Sequence, residues 1–278
     1  MIRDLPLLAI LPVDKLLQHE RHDQQRSPEL IKSVRNSGVL RNPPIVTPLR
    51  DRTGRYMVLD GAHRTLVFQE LQVPHILAQV VEADDPGLDL NPWNHVIWDF
   101  DTHTLLDEVQ AIPNLHLESR NQADAHQELQ DKQALALLRL PGGETYALYP
   151  PSHDLTTRVD LLNRLVDTYK DQGRLDRTGL SEMGALTKLY ARLTGLVVMP
   201  RFRVEEVLYL AGVGRLLPTG STRFTIAPRA LHVNYPLDEL NTAKSLEEKD
   251  AVLQEWLQER ITSKSVRYYA EPTYLYDE

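Results

Sequence analysis

A short β-rich stretch, Tyr56-Met57-Val58-Leu59, runs through Asp60-Gly61 straight into Ala62-His63-Arg64-Thr65, where a helical pattern begins with Leu66, Val67 and Leu71 apolar. No other feature of the chain constrains its fold as tightly. A strand that turns through glycine into a helix points the first helical N–H groups, and the positive end of the helix dipole, at whatever lies above the turn. His63 and Arg64 add side-chain donors at the same spot, which is the outline of a phosphate site. An ordinary tight turn with Asp60 capping the helix accounts for the same spacing equally well.

The rest of the first hundred residues alternates short strands and helices in the same way. Residues 7–11, 44–49 and 76–81 read as strands, and Ser27 as N-cap, Pro28 at the first helical position and Gly38 after the last turn mark a helix over residues 28–37. Asp84-Asp85-Pro86-Gly87 reads as an exposed turn. From about residue 110 the texture changes. Residues 122–133 form a polar helix, and residues 135–140 and 145–149 flank Pro141-Gly142-Gly143 as a hairpin. Helical periodicity over 155–170, 184–194 and 204–210 precedes an extended segment at 223–233. Residues 246–261 form an amphipathic helix with Glu247, Glu248 and Lys249 on its polar face. The expected organisation is α/β (α+β), with one domain over residues 1–110, a second over 111–278 and a cleft between them.

With 278 residues the chain is long enough for two domains with real cores. No stretch approaches the roughly 18 uninterrupted apolar residues of a membrane span. The apolar run over residues 5–13 is broken by Pro6 and Pro12 and flanked by Asp4 and Asp14, so it does not read as a signal peptide. Cysteine is absent, which removes thiol chemistry and disulfides and predicts a cytoplasmic setting. Lys and Arg total 31 against 39 Asp and Glu, a formal charge of -8 that argues against DNA as the main partner. Arg35, Arg41, Arg50, Arg52 and Arg55 leave room for a local basic patch.

Neither the Gly-x-x-x-x-Gly-Lys-Ser/Thr loop nor the Gly-x-Gly-x-x-Gly fingerprint occurs, so the common nucleotide folds are excluded. His19 and His22 invite a zinc reading, but they lie three apart rather than four and lack an evident third ligand. His19-Glu20, the Asp60-Gly61-Ala62-His63-Arg64 turn, Trp93-Asn94-His95 and Ser221-Thr222-Arg223 follow one another in order, and Gly38-Val39-Leu40-Arg41-Asn42-Pro43-Pro44-Ile45-Val46 precedes the turn. Together with the tail Pro272-Thr273-Tyr274-Leu275-Tyr276-Asp277-Glu278, this series resembles the ParB/sulfiredoxin superfamily, and within it the free L-serine kinases of siderophore-cluster type, over nearly the whole chain. Ala62 stands where sulfiredoxins carry their cysteine, and the turn lacks the Gly-Glu-Arg-Arg pattern of the partition proteins.

The resemblance implies phosphoryl transfer from ATP or ADP, with Mg²⁺, to the hydroxyl of L-serine, giving O-phospho-L-serine. It implies Glu20 as general base, with Asp60 and His63 as further catalytic groups. It places the nucleotide on Gly61, Ala62, His63, Arg64 and Thr65, the metal on Asp60, and serine against Ser33, Trp93, Thr222 and Arg223. Arginine suits a carboxylate or phosphate because its planar fork pairs with either. Phe224 departs from the pattern, since relatives are expected to carry histidine there. A downstream phosphoserine-using enzyme of siderophore (2,3-diaminopropionate) or cysteine biosynthesis is the implied partner, and monomer and homodimer both stay open. The rival readings are a ParB-like DNA-binding transcriptional regulator or nucleotide-switched protein, supported by the arginine cluster alone, and a nucleotide hydrolase acting without serine.

Overall fold

The computed structural model describes residues 5–22 and 37–269. The helix expected over 28–37 therefore lies outside the described residues except for Ser37, as do Ser33, Arg35 and the aromatic tail. Early in the chain come β1 (Leu7–Pro12), β2 (Leu16–Leu17), β3 (Val39–Leu40), β4 (Ile45–Pro48), β5 (Tyr56–Asp60), α1 (Ala62–Glu70) and β6 (His75–Val80). Five of these strands form a sheet in the order β1-β6-β4-β5-β2, with β2–β5 and β4–β6 parallel and the other pairs antiparallel. Val46, Val58, Ile76, Leu77 and Ala78 are completely buried, so the central strands are covered on both faces, as their continuous apolar runs require.

The following elements are β7 (Leu88–Pro92), β8 (Asn94–Trp98), α2 (Thr102–Gln110), β9 (His116–Ser119), α3 (Gln122–Gln130), β10 (Ala136–Arg139), β11 (Thr145–Tyr149), α4 (Leu155–Asp167), β12 (Arg174–Thr178), α5 (Met183–Leu189), β13 (Leu193–Val198) and α6 (Val204–Gly212). They build a second, wholly antiparallel sheet in the order β12-β8-β13-β10-β11-β9. The expected hairpin is β10–β11. The helical reading of residues 184–194 needs correction. Helix α5 stops at Leu189, and Leu193–Val198 is a strand inside the sheet. Leu196, Val197 and Val198 suit the pleated, buried surface better than a short helix end. The extended reading of 223–233 holds only as far as Ile226, where β14 (Thr222–Ile226) ends.

The two sheets exchange chain across residue 110. Strand β8, from before that point, lies between β12 and β13 in the second sheet. In return β15 (Tyr235–Pro236), α7 (Leu237–Leu240) and α8 (Leu246–Thr262) go back to the first. Strand β15 pairs with β3, and Tyr235, Leu240 and Leu253 share a core with Ile10, Val58, Phe68 and Ile76. Helix α8 starts from a capping box in which Ser245 and Glu248 each bond the other's backbone N–H.

Lys249 is a correction. It belongs to the buried stripe of α8, not the polar face, and is 1% exposed. Its ammonium donates to the Leu240 carbonyl at 2.7 Å and lies 3.0 Å from His75 Nδ1, and burial holds its pKa below the usual lysine value. Among the described residues no helix is long and apolar enough to cross a membrane.

Since Leu253 is completely buried between α8 and the first sheet, Leu253→Ala is expected to cost about 2 to 5 kcal/mol in a urea melt. Leu189→Ala, at a position 68% exposed, should stay within about 0.5 kcal/mol of the parent.

Candidate active site

Gly61 sits at φ +90°, a conformation that side chains rarely adopt, and a Cβ there would lie 2.9 Å from Pro44 Cα. Both facts require glycine, and both make the turn tight enough to deliver β5 directly into α1. Asp60 Oδ1 accepts the Gly61 N–H at 2.8 Å, and Thr65 N–H closes the first bond of the helix onto the Gly61 carbonyl. The amides of Ala62, His63 and Arg64 therefore lie ahead of the ladder, at the positive end of the helix. Thr65 is completely buried with its hydroxyl on the Gly61 carbonyl, so it shapes the turn from beneath.

Charged groups converge on this helix start from distant parts of the chain. Arg64 donates to the Asn42 carbonyl at 2.6 Å, and its other amino group lies 3.8 Å from Asp60 Oδ2. Arg229 donates to the same Asp60 oxygen. Nothing in the sequence pattern points to Arg229. It is held there by Gln79, a 2% exposed residue of β6 that donates to the Pro228 carbonyl and accepts from the Ala230 N–H, both at 2.9 Å. The His63 ring meets the His22 ring edge-on at 4.8 Å, and Arg41 Nη2 lies 3.4 Å from His232 Nε2.

Segment 19–22 crosses beside the turn and is stitched to the loop before β14. Glu20 forms a bridge with Leu217, the Leu217 N–H donates to the His19 carbonyl, and the Arg21 N–H donates to the Leu217 carbonyl. The Glu20 carboxylate is fixed by three donors. Oε1 accepts the Thr222 N–H at 2.8 Å and the Thr222 hydroxyl at 2.5 Å, and Oε2 accepts the Gly220 N–H at 2.6 Å. One lone pair of Oε2 is left without a hydrogen-bond donor among the described residues. His19 spans Val58 of β5 and the Thr222 hydroxyl, at 2.7 and 2.9 Å, with Phe224 edge-on to its ring. The Thr222 hydroxyl is thus engaged with Glu20 and His19, which makes it a positioner of the carboxylate more than a donor to serine.

The motif around Trp93 divides its labour. Trp93 donates its N–H to the Ser221 carbonyl, and the Arg223 guanidinium stacks over its ring with 4.8 Å from Cζ to the centroid. Asn94 ties the loops at Leu180 and Met199 together. His95 is completely buried between the Tyr169 hydroxyl at 2.8 Å and the Gly220 carbonyl at 3.0 Å. The same peptide region that His95 grips offers its N–H to Glu20. Gly220 sits at φ +68°, a conformation that favours glycine, and a Cβ there would displace the Arg177 guanidinium.

His19 and His22 point to different partners, and among the described residues no group of three or more metal-ligating side chains comes together. Mg²⁺ is a different case, because it is commonly held by one or two carboxylates together with substrate phosphates and water. Asp60 already takes cations as partners on Oδ2, so the donor set fits an ion brought in with a nucleotide.

Two members of the arginine cluster are neutralised by carboxylates, and Arg35 lies outside the described residues. Arg50 pairs with Glu82 and Asp84, and Arg55 pairs with Asp51.

Residues 3–88 match the ParB N-terminal domain. Along nearly its full length the chain is similar to the ATP-dependent L-serine kinase SbnI of Staphylococcus aureus, at 24% identity over 279 residues, covering 98% of this chain and 97% of that protein. Among solved structures, SbnI with C-terminal truncation from Staphylococcus aureus has a TM-score of 0.71 at 22% identity, over 92% of this chain and 96% of the other. A free serine kinase mutant in complex with AMP has a TM-score of 0.69 at 16% identity, over 86% and 98%. The fold is therefore the mixed α/β architecture of these proteins, with a ParB-like N-terminal domain, as the motif series implies.

Burial lowers the His95 pKa from 6.5 to about 4, the bond to the Gly220 carbonyl opposes this, and Arg177 adds to it. The folded protein thus keeps His95 neutral where the unfolded chain takes up a proton. The stability contributed is complete above pH 6.5 and is lost as pH falls toward 4. Urea melts should show a loss on the order of 3 kcal/mol across that window, and His95→Gln should flatten it.

Proposed function

We propose that the chain transfers the terminal phosphoryl group of ATP to the hydroxyl of free L-serine, giving O-phospho-L-serine. The observation that carries this reading is the Glu20 carboxylate, immobilised by two backbone amides and a hydroxyl, in a segment that His19 and His22 dock against β5 and the Asp60-Gly61 helix start. A kinase for a small alcohol needs these two things together, a placed acceptor for the hydroxyl proton and a cationic cradle for phosphate.

Nucleotide phosphates would sit over the amides of Ala62, His63 and Arg64, with the Arg64 and Arg229 guanidinium groups beside them. Mg²⁺ held by Asp60 and the phosphates would neutralise charge as it moves from phosphorus to the leaving oxygen. Glu20 takes the serine hydroxyl proton on Oε2, and the serine oxygen forms a bond to the γ-phosphorus while the bond to the bridging oxygen of ADP breaks. Arg223, which stacks on Trp93, would take the serine carboxylate. Ser33, the remaining residue that the resemblance implies for serine, lies outside the described residues. ADP in place of ATP would present its terminal phosphate to the same turn.

The similarity to ATP-dependent L-serine kinases supports kinase chemistry, and the pairing of Arg50 and Arg55 with carboxylates weakens the case for a DNA-binding regulator. The product would feed a phosphoserine-using enzyme in the cytoplasm, of siderophore or cysteine biosynthesis.

Phosphorus NMR of the protein with Mg²⁺, ATP or ADP, and L-serine should develop a phosphoserine resonance. Release of inorganic phosphate alone would point to a hydrolase instead. Glu20→Gln should cut phosphoserine formation by about 10² to 10⁴ while nucleotide affinity measured by calorimetry holds. In steady-state kinetics, Arg223→Ala should raise the KM for serine about tenfold or more and leave the nucleotide KM nearly unchanged, with only partial rescue by Arg223→Lys. An unchanged serine KM would remove Arg223 from the site.

A further inference from the structure

Arg139, the last residue of β10, is 4% exposed, and its guanidinium makes one hydrogen bond, from Nη1 to the Ser181 carbonyl at 2.6 Å. Its Nε is buried without a partner. Burial pulls its pKa down. Arg158 shows how the same chain treats a buried guanidinium that is purely structural. There Nη1 and Nη2 donate to the carbonyls of Lys132 and Ala134, and the field of Glu206 partly offsets burial. Arg139 has one such bond and, among the described residues, no ion pair within 4 Å, which leaves a desolvated guanidinium able to take an anion from outside.

Space for one adjoins it. Arg139 lines a cavity of about 390 Å³ together with Thr145, Gln122 at the start of α3, and Gly143 of the hairpin turn. That volume falls in the range of small-ligand sites, roughly 300 to 1,000 Å³. The cavity shares none of these residues with the kinase site. Its remaining charged lining is Glu144 and Glu182, both at exposed positions. Two carboxylates near one guanidinium repel a phosphate or sulfate dianion. They suit a ligand that brings one carboxylate for the arginine and one cation for the glutamates.

We propose that this cavity binds a free α-amino acid, with its carboxylate on Arg139 and its ammonium toward Glu144 and Glu182. The site is separate from the serine position in the kinase reading and does not rest on it. A chain that handles a free amino acid at one site would then sense an amino acid at another.

Isothermal titration of the full chain with each standard amino acid tests this. At least one should bind at a site that survives Arg223→Ala, and its affinity should fall about tenfold or more in Arg139→Met or when the ligand's carboxylate is converted to an amide. Where circular dichroism shows Arg139→Met unfolded, the double variant Glu144→Gln/Glu182→Gln at exposed positions replaces it, with weaker binding of the same amino acid expected. Three results would overturn the proposal: no binding of any amino acid, binding abolished by Arg223→Ala, or binding indifferent to the cavity variants. Inorganic phosphate that binds more tightly in the double glutamine variant, with no amino acid bound, would identify a simple anion site and overturn it too.

Discussion

Two backbone amides, those of Gly220 and Thr222, reach the Glu20 carboxylate across about two hundred residues of chain. Charge-assisted bonds of this kind are stronger than neutral ones, and a carboxylate that lost them while one-fifth exposed would be costly to keep in place. The rest of the site inherits its geometry from this clamp. It fixes where β14 begins, and hence where Arg223 leaves the strand and meets Trp93. It fixes segment 19–22, and hence the ring of His22 against His63. Behind it stand His95 and Tyr169, both completely buried, which hold the Gly220 peptide from the side away from Glu20. The candidate base is thus anchored to the second sheet while the candidate phosphate cradle belongs to the first.

The cradle has its own internal balance. Asp60 caps Gly61 with one oxygen and faces guanidinium groups with the other, so a single carboxylate both finishes the turn and keeps two arginines gathered over it. Gln79 explains how Arg229 can take part from a loop without regular structure. A buried side-chain amide that bonds the residues on either side of an arginine fixes the backbone, and the guanidinium then has few places to go. Two guanidinium groups sharing one carboxylate leave a net positive charge at the helix start, which suits the phosphate cradle proposed there.

What could be read from the sequence was what local chemistry dictates. The Asp60-Gly61 turn was legible because the positive φ of Gly61 and the apolar rhythm after it leave a visible signature. The β10–β11 hairpin was legible for the same reason. The order of the motifs led to Glu20, Trp93 and Arg223, but their contacts came only with the fold. Arg229 and Gln79 were invisible because their roles arise from pairings made across about 150 residues or more, with no spacing rule to mark them. Lys249 was misread since a lysine at helical spacing normally marks a solvated face, and only the Leu240 carbonyl and His75 make its burial tolerable. Residues 184–194 were misread where a short helix passes within four residues into a β-branched strand, so that one periodicity runs into the other.

The return of α8 to the first sheet bears on how the chain is made. Strand β1 emerges from the ribosome well before α8, and the Ile10 N–H finds its acceptor on Asp250, 240 positions later. At roughly 5 to 20 residues per second that interval is on the order of 10 to 50 s, during which the surface later covered by Leu253 and Trp256 stays open. The apolar face of the nascent first layer therefore stays uncovered until the closing helix is made, and faster synthesis shortens that interval.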